Sequence, residues 1–406
     1  MTDAASTIAH VDVLVVGAGP AGTAAAITAH RLGLSVACID RAHFPRDKTC
    51  GDGLTAGALR ALEALGVPVP ELASAQPVDT AVVRGPAGRS VTLPLPTDGH
   101  HAVVARRADL DAALVARARA EGIPVLEGHA VTGVEVRHDE VRICHDTQVT
   151  RARFVVAADG HNSAVRRLVN PDHPVDLGTW HAFRQYFGGV EDRRLWVLFE
   201  PDLLPGYAWV FPLPGGRANV GFGVLRDAST SGRALAARWR DLLNRPSVRA
   251  VLGPRAEPVD RARAWPIPTG FGARRATAGR VLFAGDAAGA VDPMTGEGIA
   301  QALESGILAG RAIAGGGPVA AVGARYRAAL DRALGRDLRL AARLQRVLRT
   351  RAGTSAALAL VDLSPWTRRN FARWMFEDYP RALLLTPERW SRGALSPPGA
   401  YRRPTQ

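Results

Sequence analysis

An apolar stretch, Val11–Val16, runs directly into Gly17-Ala18-Gly19-Pro20-Ala21-Gly22, and this junction limits the fold more than any other part of the 406-residue chain. The stretch reads as a buried strand of a parallel sheet. The residues after it satisfy GxGxxG, and Thr23–Leu32 is an alanine-rich helix closed by Gly33 where a left-handed residue is favoured. Leu34–Ile39 forms a second strand, with Asp40 at its end about 20 residues past the glycines. A lone GxGxxG is weak, but here strand, glycines, helix, strand and acid fall in register. The glycines let the backbone reach a pyrophosphate, and Asp40 suits ribose hydroxyls. A purely structural βαβ turn is the plainer alternative, and the full context disfavours it.

A second stretch, Val281–Ala300, repeats the logic. Val281–Ala284 is an apolar strand, Gly285 and Asp286 follow, and Asp292-Pro293 and Gly296-Glu297-Gly298 lead into a helix reaching Ile313. A carboxylate at a strand end beside a helix N-terminus suits a nucleotide carrying both a polyol and phosphates. Phe154–Ala157, ending in Ala158-Asp159-Gly160, makes a third strand–acid–glycine turn. Alone, each is also compatible with an ordinary strand–turn–helix.

Forty-two glycines with 47% hydrophobic residues fit an α/β enzyme rather than a disordered or fibrous chain. The net charge of +13 is almost entirely arginine, since Lys48 is the sole lysine. A composition bias acting on solubility explains this most simply, and an anionic partner is the functional alternative. Basic blocks interleaved with aromatics are missing, which disfavours nucleic acid. Cys38, Cys50 and Cys144 lack CxxC spacing, against a structural metal or a disulfide framework. The opening residues lack a basic or apolar leader pattern, and no run reaches the ~20 apolar residues of a spanning helix. A cytoplasmic location is expected, and peripheral membrane contact stays compatible.

Arg41–Leu54, RAHFPRDKTCGDGL, reads as a loop crowded with Arg46, Asp47, Lys48, Cys50 and Asp52. Cys50 is either a buried small hydrophobe or a catalytic group. Ala56–Leu65 is a short helix, and a Pro- and Gly-rich stretch to His100 reads as a hairpin excursion into another domain. Arg106–Arg119 contains a helix, and Ile123–Leu126, Val131–Val136 and Val141–Cys144 are strands. From Pro171 to Ala262 the texture becomes alternating strands, with Tyr207, Trp209 and Phe211 on one face at period two. These three either pack a core or line an apolar substrate cavity. Trp265-Pro266-Ile267-Pro268 returns the chain to the first domain, Arg325–Arg349 is an arginine-rich helix, and the tail from Ser391 reads as loose.

Together, GAGPAG, FPRDKTCGDGL, AADG, GYAWVFPLPGGRANVGFG and AGDAAGAVDPMTGEGIAQALESG resemble the geranylgeranyl reductase family, within the p-hydroxybenzoate-hydroxylase-like flavoproteins. The resemblance spans residues 11–313. It implies FAD, with Gly17, Gly19 and Gly22 at the pyrophosphate, Asp40 at the adenosine ribose, and Pro20, Ala21 and Arg41 among the cofactor contacts. Family members often carry Glu where Asp40 stands. Arg46, Lys48, Cys50, Gly51, Arg107, Asp159, Gly285, Asp286, Pro293, Gly296, Gly298 and Ile299 complete the implied cofactor contacts. Asp286 would bind the ribitol, Gly296–Ile299 would lie near the isoalloxazine, and Cys50, Gly51 and Asp52 on the flavin's edge. Halogenases of the group carry a lysine in a GWxWxIP setting; Trp265-Pro266-Ile267-Pro268 echoes this only partly and no lysine accompanies it, which sharply disfavours halogenation.

The implied architecture is a Rossmann-like FAD-binding domain of glutathione-reductase type (8–75, 100–170, 265–330). Interleaved with it is a mostly antiparallel β-sheet substrate domain (76–99, 171–264), followed by a helical C-terminal region with a loose tail (331–406). The implied activity is reduction of carbon–carbon double bonds in an isoprenoid or related apolar metabolite by hydride from reduced flavin. The alternative is an FAD-dependent monooxygenase acting on an aromatic or polyketide-like metabolite. A second dinucleotide fingerprint is not found, so NAD(P)H or another donor must visit. Tyr207, Cys50 or, equally, a bound water is the candidate proton donor, and Tyr207, Trp209 and Phe211 are the candidate substrate wall. The expected partners are a small apolar molecule and an electron-transfer or carrier protein; the oligomeric state is not written in the sequence.

Overall fold

β1 (His10–Val16), α1 (Pro20–Arg31) and β2 (Val36–Asp40) form the βαβ unit that the glycine turn requires. They belong to a computed structural model that describes residues 8–171, 177–227, 231–272, 275–376 and 399–402. Val13, Leu14 and Val15 are fully buried, because helices cover one face of the sheet and a hairpin layer the other. β1 pairs in parallel with β2 and with Gln148–Ala157, which pairs in parallel with Val281–Phe283; β2 pairs in parallel with Val125–Glu127. Parallel strands bring their carboxyl ends to one edge, where ligands of such sheets bind.

Helix Ile299–Ala314 lies against α1 at unusually short range. A side chain on Gly306 would overlap the Ala21 carbonyl, and one on Gly310 would stand 2.9 Å from that of Ala25. Glycine is needed at both positions because the two backbones touch.

The second sheet is mostly antiparallel. Trp180–Gly188 pairs with Arg217–Leu225, which pairs with Tyr207–Leu213, which pairs with Leu195–Leu198. The excursion hairpin, Thr80–Arg84 with Ser90–Pro94, joins at Leu195–Leu198 by a parallel pairing. On the outer face, Trp239 packs on Phe183 and Phe222 with ring centroids 5.5 and 6.1 Å away. Its helix, Gly232–Asn244, and the next, Pro246–Leu252, lie within a region whose sequence texture reads as strands alone. Arg263–Ile267 is also a strand of this sheet, antiparallel to Trp180–Gly188, so the chain returns to the nucleotide half only after Ile267. Pro266 is tolerated there because edge strands leave one N–H side unpaired.

Helix Val319–Leu330 passes through a π turn, Asp331–Gly335, into Arg336–Val347. Arg351–Val361 and Pro365–Phe376 then close over the excursion hairpin, with Leu358, Val361, Ala372 and Phe376 buried against Val91 and Leu93. Among the described residues, no helix is long and apolar enough to cross a membrane. Most of the tail expected to be loose, including 391–398, lies outside the described residues.

Candidate cofactor and substrate site

The site starts where the parallel strands end. Gly17, Asp40, Asp159 and Asp286, each following or closing a strand, line one cavity of about 1030 Å³. Gly17 has φ +98°, and a side chain there would run into the Ala158 carbonyl; one on Gly22 would strike the Gly17 carbonyl. Arg46 and Arg107 guanidiniums lie 3.5 and 4.0 Å from where a Gly19 side chain would begin. Buried Arg107 is gripped by Asp111 through bonds of 2.9 and 2.8 Å, and Arg46 reaches the same carboxylate at 3.1 Å. Two guanidiniums sharing one carboxylate leave positive charge facing the glycine turn, which fits a diphosphate. Asp40 accepts from the Ala18 and Ala42 N–H groups, both at 2.8 Å, and its oxygens keep lone pairs for further donors. Asp159 has a buried Oδ1 that meets no donor among the described residues, and burial pushes its carboxyl upward. A hydroxyl-bearing ligand would satisfy it.

On the opposite wall, Asp292 folds the turn before helix Ile299–Ala314. Its Oδ1 accepts from Met294 and Thr295 N–H at 2.8 and 2.9 Å, and Gly296 takes φ +70°. The Tyr207 hydroxyl donates to the Thr295 carbonyl, joining this turn to the sheet.

The loop after β2 is stitched to the sheet by buried polar groups. Asp52 has no exposed surface and a left-handed backbone, φ 64°. It accepts from the Tyr186 hydroxyl at 2.6 Å, from Asn219 Nδ2 at 2.7 Å and from the Arg107 N–H at 3.3 Å. Burial outweighs those donors and its carboxyl is pushed up to about 6. Asn219 also donates to the Cys50 carbonyl at 2.8 Å and accepts from Trp209 Nε1 at 2.9 Å. Fully buried Arg184 stacks on Tyr186 and binds Asp47 at 2.6 Å and Asp260 at 2.9 Å. Gly51 lets the loop lie on Phe211, whose ring would be 3.3 Å from an added Cβ. Cys50 is half-buried, its Sγ accepts from the Asp52 N–H at 3.3 Å, and burial raises the thiol so that it stays protonated.

Tyr207, Trp209 and Phe211 form one wall, with successive ring centroids 6.2 and 6.1 Å apart. Beyond them the lining becomes aliphatic and aromatic: Leu344, Leu348, Ala357, Leu358, Phe371 and Met375 of the C-terminal helices.

The family described as FAD binding domain matches residues 10–316. The menaquinone reductase of Mycolicibacterium smegmatis is 33% identical over 338 residues, covering 76% of this chain and 77% of that protein. Digeranylgeranylglycerophospholipid reductase 2 of Methanothermobacter thermautotrophicus is 30% identical over 400 residues, covering 92% and 98%. The chain belongs to the geranylgeranyl reductase family of FAD-dependent oxidoreductases. A solved geranylgeranyl bacteriochlorophyll reductase-like protein from Thermoplasma acidophilum shares the fold, with TM-score 0.76 and 23% identity over 94% of this chain and 99% of that one. A flavin-dependent halogenase also shares it, at TM-score 0.69 and 22% identity over 99% and 74% of the two chains.

Of the positions this family resemblance implies, Pro20, Ala21, Arg41, Lys48, Cys50, Gly51, Gly285, Gly296, Gly298 and Ile299 line the cavity with those already described. Gly22 and Pro293 stand behind it; the Pro293 carbonyl accepts from Gln345 Nε2 at 2.6 Å. Lys48 Nζ lies 5.2 Å from the centre of a Trp265 ring and 3.5 Å from Asp286. Sequence reasoning missed Tyr186 and Arg184, which carry no motif, and Asn219, which lies within GYAWVFPLPGGRANVGFG but acts only through the loop it holds. It also missed the C-terminal lining, whose signal was the apolar spacing of Leu344 and Leu348 within an arginine-rich helix.

Proposed function

We propose that this member of the geranylgeranyl reductase family reduces carbon–carbon double bonds of an isoprenoid chain. The observation that carries the reading is the continuity of one cavity, from the glycine turn past Trp209 and Phe211 into the apolar C-terminal helices. When bound, FAD in its reduced form supplies the hydride. The chain's own residues hold the nucleotide through the glycine turn, Arg46 and Arg107, and exclude water with the aromatic wall. A flexible polyene would lie along that wall, and holding it in reach is worth about 7–11 kcal/mol of barrier in well-oriented systems. Cys50 Sγ, kept as a thiol on the cavity wall, is the proposed proton donor; the Tyr207 hydroxyl is engaged with Thr295. NAD(P)H or a protein electron donor is proposed as the visiting reductant. Anaerobic incubation with dithionite and a prenyl substrate should give saturated product, and Cys50→Ser should slow product formation while flavin absorbance stays. Obligatory oxygen consumption coupled to substrate would overturn the reading.

Access from a lipid surface belongs to the same reading. Leu360, Leu363 and Trp366 are 63, 71 and 72% exposed, and half-exposed Val347 both lines the cavity and faces outward. Residues 338–376 hold eight arginines and one acid, Asp362. Asp362 is already bound by Arg89 and Arg368. Apolar tips among cations suit an anionic bilayer surface. The protein should float with vesicles containing anionic lipid and stay behind with neutral ones. Equal partition would reject the contact and leave the chemistry untouched.

A second reading, halogenation, is favoured by one observation, the place of Lys48 against Trp265. A halide-dependent mass gain in an electron-rich aromatic probe would support it. Lys48 pairs with Asp286, which ties it to the cofactor cleft.

A further inference from the structure

At the adenosine end of the cavity, away from the aromatic wall, two histidines and an aspartate converge. His129 Nδ1 is 3.1 Å from His145 Nδ1 and 2.8 Å from Asp146 Oδ2. The backbone is shaped to bring them together. A register shift between Cys144 and His145 re-aims His145, which is fully buried, and Asp146 then takes a left-handed φ of 51°. Bulges commonly serve to redirect a side chain.

The hydrogen bonds around His145 fix its tautomer. The Thr150 hydroxyl donates to the Ile8 carbonyl at 2.9 Å, so its oxygen accepts from His145 Nε2 at 2.9 Å. The proton of neutral His145 is therefore on Nε2, and Nδ1 points a lone pair at His129. His129 Nδ1 must carry the single proton that both His145 Nδ1 and the Asp146 carboxylate accept. One proton cannot lie in line with two acceptors, so two nitrogens and an oxygen compete for a centre that holds one hydrogen.

We propose that His129, His145 and Asp146 form a binding site for a borderline divalent cation of the zinc type. Ligands at about 2.0–2.1 Å in a tetrahedron stand roughly 3.3 Å apart; the two spacings from His129 Nδ1 are a few tenths of an ångström shorter, and all three ligand atoms lie within 4.8 Å of one another. A buried imidazole whose second nitrogen is fixed by a hydrogen bond is the usual supporting arrangement for a metal-bound histidine. On binding, the His129 Nδ1 proton passes through solvent to Nε2, and the cation takes its place between neutral nitrogens and a carboxylate. Side-chain exposures of 20% for His129 and 45% for Asp146 leave an entry path and an open fourth position. The His129 main-chain N–H donates to the Asp40 carbonyl at 2.9 Å, so ligation would pin the end of β2 where the cavity begins.

The experiment uses the full chain with FAD, stripped by chelator and titrated with Zn²⁺ in a calorimeter, with Co²⁺ followed by its visible bands. The expected result is about one Zn²⁺ per chain at micromolar affinity or tighter, intense tetrahedral Co²⁺ bands, and a metal-dependent rise in melting temperature. His129→Gln and Asp146→Asn, both at partly exposed positions, should each weaken binding about tenfold or more and abolish that rise, with flavin content kept. Absence of stoichiometric uptake, or variants that bind zinc as the parent does, would overturn the site and leave only a hydrogen-bonded hairpin turn. The outcome is independent of which reaction the flavin carries out.

Discussion

The two ends of the cavity are built by opposite means. At the nucleotide end, Gly17, Gly19 and Gly22 act by lacking side chains: Gly17 and Gly22 let backbone approach backbone, and Gly19 leaves room for the Arg46 and Arg107 guanidiniums. At the sheet end, Tyr186, Phe211 and Asn219 act by what their side chains touch, and the loop residues they meet, Cys50 to Asp52, are more than a hundred residues away. Backbone recognition tolerates almost no substitution and little variation in shape. Side-chain walls change size and polarity one residue at a time, and so a family can keep its cofactor while altering what lies beside it.

The largest expected effect breaks the backbone end. Gly22→Ala places a methyl against the Gly17 carbonyl, and overpacking of this kind costs about 1–3 kcal/mol or more when backbone must move. The purified variant should lose its flavin bands; retention at parental stoichiometry would show that the turn is not the pyrophosphate seat.

Asp52 comes next, and it tests the seam between the two ends. Its carboxyl goes from 3.8 in the unfolded chain to about 6 when buried. Between those values the folded protein holds a proton that the unfolded chain has released. The contribution of Asp52 to stability should therefore be full below pH 3.8, fall as pH rises and be lost above about pH 6, a change of about 3 kcal/mol. Urea unfolding of Asp52→Asn should show that slope removed; an unchanged pH profile would assign the slope to other groups.

Ala357→Trp fills the far arm of the cavity with a bulky ring. Turnover of a long prenyl chain should drop about tenfold or more, while a short allylic substrate and the flavin spectrum are spared. Equal losses on both would mean the chain does not extend to these helices. The smallest effect is expected at Lys48→Met, since its pairing with Asp286 is long and partly exposed. Stability should change by about 0.2–1 kcal/mol, and flavin affinity only a few-fold.

Legibility in the sequence followed the same division. Glycine turns and strand-end acids are local, so Gly17–Gly22, Asp40 and Asp286 could be found from spacing. Asp52 was visible inside CGDG, but its role depends on Tyr186 and Asn219, which meet it only after two strands of another sheet have paired. The helices at 232–252 were hidden because the strand texture around them dominated the reading. The position of Lys48 on Trp265 follows from the loop crossing between sheets, which no linear pattern records.

The anchoring of the segment after β2 also limits how this enzyme can be re-engineered. Asp47 and Asp52 are fastened to Arg184, Tyr186 and Asn219, so a transplant of residues 44–53 from a relative would arrive with its fasteners left behind. A working graft must carry strands Trp180–Gly188 and Arg217–Leu225 as one cassette.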